Sequence, residues 1–185
     1  PIEPYKIKII APTSVKTKNY FTINLIVEDK WGNPTYFKKN KNINLVILND
    51  LINLKKKITF KNHLKKLIIQ HSFEQQGNYT VSILGLGKIK IDPILIVARS
   101  QIKENYFWGD IHGQSEETIG TNSIEDYFSY AKNISCLDVS CHQGNDFQIN
   151  DEFWNKIIKI TNKYHQERKF VCLLGYEWSG NTSLG

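Results

Sequence analysis

Apolar and polar residues alternate along the first hundred residues of the chain. Apolar side chains recur at every second position in several short runs, such as Phe21–Val27, Ile43–Ile47 and Tyr79–Ile83. Successive side chains of a strand point to opposite faces, so this period of two predicts antiparallel strands with one buried face. Turn-forming residues such as Asp29–Pro34 separate the runs. About seven or eight such strands, without a helical pattern, predict an all-β, immunoglobulin-like sandwich over residues 1–100.

The pattern changes at Ala98–Glu104, which we predict to be the boundary between two domains. Two amphipathic helical patterns now alternate with short apolar runs. These runs predict three buried strands, Asn105–His112, Cys136–His142 and Phe170–Glu177. Strands and helices that alternate at a spacing of about 30 residues are typical of parallel βαβ units. We therefore predict an α/β domain over residues 104–185.

Polar residues mark the starts of both predicted helices. Ser123 stands three residues before Asp126, a pattern similar to a capping box, and Asn150 is suited to cap the second helix. The apolar residues that follow recur at the spacing of helical turns. We predict that these apolar faces cover the sheet and belong to the core.

Net charge differs between the two halves. Residues 1–100 hold 17 Lys and Arg against 6 Asp and Glu, a net charge of +11, whereas residues 101–185 hold 7 against 12, a net charge of −5. The lysines are not interleaved with aromatic residues, as a groove that stacks nucleic-acid bases requires. We therefore interpret the basic half mainly as lysine-rich composition, and a nucleic-acid partner is an alternative that we do not favour.

The chain begins with Pro1 and contains no methionine. We therefore expect that its amino-terminal end is missing and that the second domain continues beyond Gly185. Every apolar run is shorter than the roughly 18 residues of a membrane helix, so we predict no membrane span. The compartment, cytoplasmic or periplasmic, and the oligomeric state stay open. The odd number of cysteines favours buried free thiols at Cys136, Cys141 and Cys172.

Side chains suited to metal binding end each of the three predicted strands. They are His112, His142 and Glu177. Because the carboxyl ends of parallel strands share one edge of a sheet, where binding sites form, we predict a metal site there. Asp110 and Asp146 lie close to the two histidines in sequence and are candidate ligands or hydrogen-bond partners of ligands. Taken singly, each histidine fits a structural hydrogen bond at a strand end better than a metal site.

Three motifs together resemble the opening motifs of PHP-type proteins, the polymerase and histidinol phosphatase superfamily. They are Phe107–Ser115, Cys141–Phe147 and Gly175–Thr182. The closest similarity is to a bacterial branch of uncharacterised function with an amino-terminal β-sandwich, and it covers residues 104–185. The resemblance implies that these residues form the first part of a distorted (βα)7 barrel. It also implies a cluster of two or more divalent ions, Zn, Mn or Fe.

The resemblance also implies roles for single residues. His112 matches the first histidine of a His-x-His motif, and Gln114 stands where the second histidine is expected. An amide oxygen is a weaker ligand, so this departure weakens the metal position it would serve. His142 matches a metal-binding histidine, and Glu177 matches a carboxylate that bridges metals. The remaining ligands of the family would lie beyond Gly185.

These observations predict a metal-dependent hydrolase, with a small molecule or a phosphoester as its substrate. Metal ions lower the pKa of bound water toward ~7 and hold phosphoryl oxygens. Asp110 and Asp146 would then assist the reaction, and we expect little activity from this chain alone. Two alternatives stay open. One is a non-enzymatic binding or adhesion module with a degenerate barrel, and the other is an enzyme that processes nucleic acid held by the basic sandwich.

Overall fold

A computed structural model describes residues 3–180. These residues form two compact units, and the chain divides after Tyr106. Unit 1 is built from β-strands, and unit 2 combines a small sheet with helices. The predicted loop at Asn181–Gly185 lies outside the described residues.

Unit 1 is a β-sandwich, as predicted from the alternating pattern. Its strands are β1 (Lys6–Ile10), β2 (Ser14–Lys16), β3 (Phe21–Glu28), β4 (Lys41–Leu48), β5 (Asn53–Phe60), β6 (Lys66–His71), β7 (Gly77–Leu84), β8 (Lys90–Ile91) and β9 (Ile94–Arg99). One sheet has the order β6-β3-β1-β8 and the other β2-β9-β7-β4-β5. Alternate residues of both sheets, such as Ile23 and Ile43, are fully buried in one shared core. The period of two therefore separates the core face of each strand from its outer face.

An edge strand of unit 1 carries three of its exposed lysines. Lys55–Lys57 lie on β5, at one end of the five-stranded sheet, and all three are exposed. Charged side chains on an edge strand oppose pairing with the strand of another molecule. This placement gives the lysines a structural role, and a nucleic-acid partner stays a prediction.

Unit 2 is a three-stranded parallel sheet with two helices. In chain order its elements are β10 (Gly109–Gly113), α1 (Ile124–Asn133), β11 (Val139–His142), α2 (Asp151–Tyr164) and β12 (Val171–Leu174). The sheet has the order β10-β11-β12, with parallel pairing throughout. The predicted alternation of strands and helices is confirmed, although each strand is shorter than its apolar run.

The two helices begin where their capping residues predict. The Ser123 hydroxyl accepts a hydrogen bond from the backbone N–H of Asp126, and the side chain of Asn150 accepts one from the backbone N–H of Phe153. These bonds satisfy backbone donors that have no partner within the helix. The buried faces of both helices pack with Phe170 and Cys172 into a second core, so unit 2 has an interior of its own.

The prediction of a (βα)7 barrel is wrong. The described chain is mostly β-strand with two α-helices, and its parallel sheet does not close into a barrel within residues 107–180. Alternating strands and helices specify a parallel sheet, but closure also requires a matching number, tilt and stagger of strands. Three short strands do not carry that information.

Candidate functional site

Loops that follow the three strands of unit 2 meet at the carboxyl edge of its sheet. Beyond β12 and β11 the chain continues parallel, because Glu177 pairs with Asn145 in a further β-bridge. The backbone N–H of Glu177 donates to the carbonyl oxygen of Gly144 at 2.9 Å. In return the backbone N–H of Asp146 donates to the carbonyl oxygen of Glu177 at 3.0 Å. The main chain therefore fixes the position of Glu177 at this edge.

Two amide side chains hold the carboxylate of Glu177. Gln114 donates from Nε2 to its Oε2 at 3.0 Å, and Asn145 donates from Nδ2 to the same oxygen at 3.2 Å. Gln114 also donates to Oδ1 of Asn145 at 3.1 Å, and its Oε1 accepts from the hydroxyl of Thr118 at 2.7 Å. We call Gln114, Asn145 and Glu177 the rim cluster. It combines one carboxylate with two neutral amides.

The ring of His112 lies beside the rim cluster. Its Nε2 is 3.8 Å from Oε2 of Glu177, and 68% of its side chain is exposed. This distance is too long for a direct hydrogen bond and short enough for an electrostatic interaction. The structure therefore brings together three of the predicted ligands, His112, Gln114 and Glu177.

His142 occupies a different environment, in the interior of unit 2. Its side chain is fully buried, and Nε2 lies 2.8 Å from the hydroxyl of Ser115. The rings of Tyr127 and Phe153 contact it edge-on. Burial lowers the pKa of His142 from 6.5 to about 4, because it penalises the charged imidazolium. His142 is thus a neutral side chain of the core.

The pair of Ser115 and His142 does not form a catalytic dyad. Ser115 is fully buried, so its hydroxyl is closed to a substrate. The other ring nitrogen of His142, Nδ1, has no hydrogen-bond partner within residues 3–180. A nucleophilic serine needs a histidine that is itself oriented by a third group. This geometry gives the pair a structural role.

The two predicted catalytic carboxylates bind backbone groups. Asp110 accepts a hydrogen bond through Oδ1 from the backbone N–H of His112 at 3.0 Å, so it contacts the main chain of that residue. Asp146 accepts through Oδ1 from the backbone N–H groups of Phe147 at 2.9 Å and Ser179 at 3.3 Å. In the structure both carboxylates order their own loops, and their part in a reaction stays a prediction.

The predicted metal site is without support in the described part of the chain. Residues 3–180 contain no cluster of three or more His, Cys, Asp or Glu side chains that could hold a metal ion. His142 bonds to Ser115, and Gln114 turns its amide N–H toward Glu177, whereas a metal ligand would have to offer its oxygen. These donors do not fit a metal cluster. Divalent ions as cofactors of a longer protein stay a prediction.

Cys141 and Cys172 are free thiols, as predicted. Cys141 and Cys172 are buried, and Cys136 is half-buried. Burial raises the pKa of Cys141, and it raises that of Cys172 to about 11. The thiolate is the reactive form of cysteine, so these two thiols are inert at neutral pH.

Asn145 is the member of the rim cluster that sequence reasoning missed. It lies in the loop that follows the predicted strand end at His142, next to Gly144. A Cβ on Gly144 would lie 2.6 Å from the Thr118 side chain, so glycine lets this loop pass close to its neighbour. The run of glycine and polar residues after an apolar strand was the available signal.

No helix of the described chain is long and apolar enough to cross a membrane.

Comparisons with known proteins give relatives but no family. No family model matches the chain. An uncharacterised protein of Chlamydia pneumoniae is 26% identical over 185 residues, covering 97% of this chain and 30% of the relative. An uncharacterised protein of Chlamydia trachomatis serovar D is 24% identical, covering 93% of this chain and 28% of the relative. The chain therefore spans about 30% of the length of the curated relatives it matches.

Solved structures give only weak likenesses. A superoxide reductase (neelaredoxin) from Ignicoccus hospitalis has a TM-score of 0.40 at 13% identity, covering 52% of this chain and 82% of that one. A cycloisomaltooligosaccharide glucanotransferase from Paenibacillus has a TM-score of 0.41 at 10% identity, covering 92% of this chain and 27% of that one. Scores this low carry no argument about fold or function.

The resemblance to PHP-type proteins is wrong. No family model matches the chain, and the relatives it matches are uncharacterised Chlamydia proteins. The prediction of a hydrolase is without support from these comparisons. Short motifs around histidines at strand ends led to the resemblance.

Proposed function

We propose that unit 2 is a binding module for a ligand that carries a positively charged nitrogen group, with Glu177 as its anchor. The observation that carries this proposal is that the carboxylate of Glu177 is accessible to solvent and has no cationic side chain of lysine or arginine as its partner among the described residues. It is 36% exposed, and among the described residues its ion-pair partner is the imidazole of His112, with no lysine or arginine beside it. A ligand that supplies an ammonium or guanidinium group would complete the pair.

The two amide hydrogen bonds prepare Glu177 for such a ligand. Both are accepted by Oε2, so the carboxylate is held in one orientation while Oε1 is left for a ligand. A part-buried carboxylate without a full counter-charge is costly, and that cost is relieved on binding. Hydrogen bonds to charged groups contribute about 1.5–3 kcal/mol each. A single ammonium or guanidinium group would therefore bind weakly and specifically.

The surrounding charge favours a cation over an anion. Residues 101–185 carry 12 Asp and Glu against 7 Lys and Arg. Two of the lysines are engaged with carboxylates on other parts of unit 2, Lys156 with Glu117 and Lys163 with Glu125. The field of an acidic surface raises the local concentration of cations.

The test uses two small probes of the same shape. N-ethylguanidinium carries the charge, and N-ethylurea is its neutral analogue, so their comparison isolates the ionic contribution. Binding to the whole chain is followed by chemical-shift changes in ¹H–¹⁵N NMR spectra. We expect N-ethylguanidinium to shift the amide signals of Asn145 and Glu177 with a dissociation constant in the millimolar range, and N-ethylurea to bind at least about tenfold more weakly.

Two variants complete the experiment. Glu177→Gln removes the charge at constant shape and should weaken binding of N-ethylguanidinium at least about tenfold. Glu167→Gln is the matched control, because its carboxylate is 85% exposed and its ion-pair partner among residues 3–180 is its neighbour Arg168 at 3.8 Å; binding should be unchanged. Equal affinity of Glu177→Gln and the unaltered chain would contradict the proposal, as would equal binding of the two probes.

A further inference from the structure

A recess lies next to the rim cluster, between the start of α2 and the loop that follows β12. It has a volume of about 210 Å³ and is lined by Asp146, Ile149, Asn150, Asp151, Trp154 and Tyr176. We propose that this aromatic cleft binds an alkylated ammonium group, such as that of choline or of a methylated lysine side chain. The inference goes beyond the proposed function, because it uses side chains other than those of the rim cluster.

Two aromatic rings form the walls of the aromatic cleft. The ring centroids of Trp154 and Tyr176 are 6.2 Å apart, and the ring planes are nearly perpendicular at 85°. Rings at right angles offer a corner in which a rounded group contacts both. The face of an aromatic ring carries negative potential, and Trp and Tyr attract cations that lie within about 6 Å of the ring centroid. The geometry is that of two sides of an aromatic cage.

The polar lining of the cleft is acidic. Asp146 and Asp151 supply two carboxylates, and the lining includes no lysine or arginine. The side chain of Asp146 is ordered, because its Oδ1 accepts hydrogen bonds from the backbone N–H groups of Phe147 and Ser179. A bound cation therefore meets a carboxylate that is already in place.

The positive end of α2, at its amino terminus, does not reverse the preference of the cleft for a cation over an anion. Helix amino termini attract anions through their free backbone N–H groups. Here the side chain of Asn150 already accepts from the N–H of Phe153, and Asp151 and Glu152 place two negative charges in the first turn. An incoming anion would meet these carboxylates, whereas a cation is attracted to them.

The chemistry of the lining selects an alkylated cation over a bare metal ion. Hard cations require six or more oxygen ligands for Ca²⁺ or near-octahedral oxygens for Mg²⁺, and this cleft pairs two carboxylates with Trp154, Tyr176 and Ile149. An alkylated ammonium has an apolar surface around its charge. It loses little hydration on entering an aromatic corner, and its methyl groups contact the rings.

The test compares choline with 3,3-dimethyl-1-butanol, which has the same shape without the charge. Binding to the whole chain is followed by the indole N–H signal of Trp154 in NMR spectra. We expect choline to shift this signal with a millimolar dissociation constant and the neutral alcohol to bind at least about tenfold more weakly. Equal binding of choline and 3,3-dimethyl-1-butanol would show that the recess binds apolar groups without regard to charge, and it would overturn the proposal. Absence of choline binding would also overturn it.

Variants identify the residues responsible. Trp154→Leu should weaken choline binding at least about tenfold, and Trp178→Leu, which alters an aromatic side chain that is 70% exposed and outside the lining, should leave it unchanged. Trp154 also packs against the core of unit 2. Tyr176→Leu therefore provides a second variant on a 49% exposed residue, and it too should weaken binding.

The same measurements separate this inference from the proposed function. Glu177→Gln should leave choline binding unchanged, because the aromatic cleft does not include its carboxylate. If Glu177→Gln abolished choline binding while Trp154→Leu and Tyr176→Leu did not, the ammonium would bind at the rim cluster. That outcome would overturn the aromatic cleft and support the rim cluster.

Discussion

The two units differ in how completely their sheets are covered. In unit 1 two sheets face each other, and 19 buried apolar residues lie between them. In unit 2 two helices pack on the sheet, and the buried cluster has 8 residues. Apolar strand residues such as Ile111, Leu173 and Leu174 are 46–57% exposed there. Parallel strands are commonly apolar on both faces because both are covered, and within the described residues unit 2 covers only part of its sheet.

This difference explains why the two units were predicted with unequal success. In unit 1 most outward positions are polar, with exceptions such as Ile68 and Leu95, so the pattern itself indicates which face is buried. In unit 2 the strands are only four or five residues long, and β12 is apolar on both faces, so the pattern does not state how many layers surround them. The barrel was implied by the resemblance to PHP-type proteins, and the strand pattern left the covering of the sheet undefined.

The largest expected effects come from truncating one fully buried phenylalanine in each unit. Phe60→Ala in unit 1 and Phe128→Ala in unit 2 both remove a side chain that is 0% exposed. Each should lower the free energy of unfolding by about 3–5 kcal/mol. Unit 2 has the smaller core, so Phe128→Ala should remove the larger share of the stability of its unit. Hydrogen exchange of the amides of β4 and β11 measures the two units separately.

Exposed residues supply the controls for this comparison. Leu51→Ala in unit 1 and Ile119→Ala in unit 2 alter side chains that are 81% and 69% exposed. Their effects should stay within about 0.5 kcal/mol. A fractional loss of protection in unit 1 that equals or exceeds the fractional loss in unit 2 would contradict the ranking of the two cores.

Acidification should destabilise unit 2 more than unit 1, because a buried histidine with a strongly lowered pKa lies in unit 2. The pKa of His142 is lowered from 6.5 to about 4 in the folded protein. The unfolded chain therefore binds a proton more readily, and unit 2 should lose roughly 3 kcal/mol of stability as the pH falls from about 6.5 to 4. At a pH above 6.5, the pKa of His142 in the unfolded chain, unit 2 should keep the whole of this stability.

An NMR titration of the His142 ring measures this shift directly. A midpoint near pH 4 is expected, and a midpoint at the ordinary value of histidine would show that the ring is not buried. In unit 1, burial also lowers the pKa of His71, through loss of hydration of its charged form. Its titration gives the corresponding signal for the sandwich.

The smallest expected effects concern the starts of the two helices of unit 2. Ser123→Ala and Asn150→Ala remove the side-chain acceptors of the hydrogen bonds that begin α1 and α2. Each should cost about 1 kcal/mol, measured by urea unfolding of the whole chain. Ser123→Thr and Asn150→Asp keep an acceptor oxygen and should cost clearly less. Equal losses in the alanine and conservative variants would show that the caps do not contribute.

The candidate site was predicted in part. Glu177, His112 and Gln114 were expected at one edge of a parallel sheet, and they lie there within hydrogen-bonding or electrostatic distance of one another. His142 also ends its strand as predicted, but its side chain turns into the core and bonds to Ser115. The sequence position of a histidine at a strand end is the same in both cases. Only packing distinguishes an exposed imidazole from a buried one.

The amino-acid sequence by itself determined the features that depend on interactions between near neighbours. These are the alternating strands of unit 1, the capped helices of unit 2 and the polar loops that end its strands. Such features depend on residues a few positions apart, where side-chain period and backbone hydrogen bonding are decisive. Contacts between distant segments decided the rest. The open sheet, the burial of His142 and the meeting of Asn145 with Glu177 arise from packing of segments up to tens of residues apart, and no short-range pattern encodes those distances.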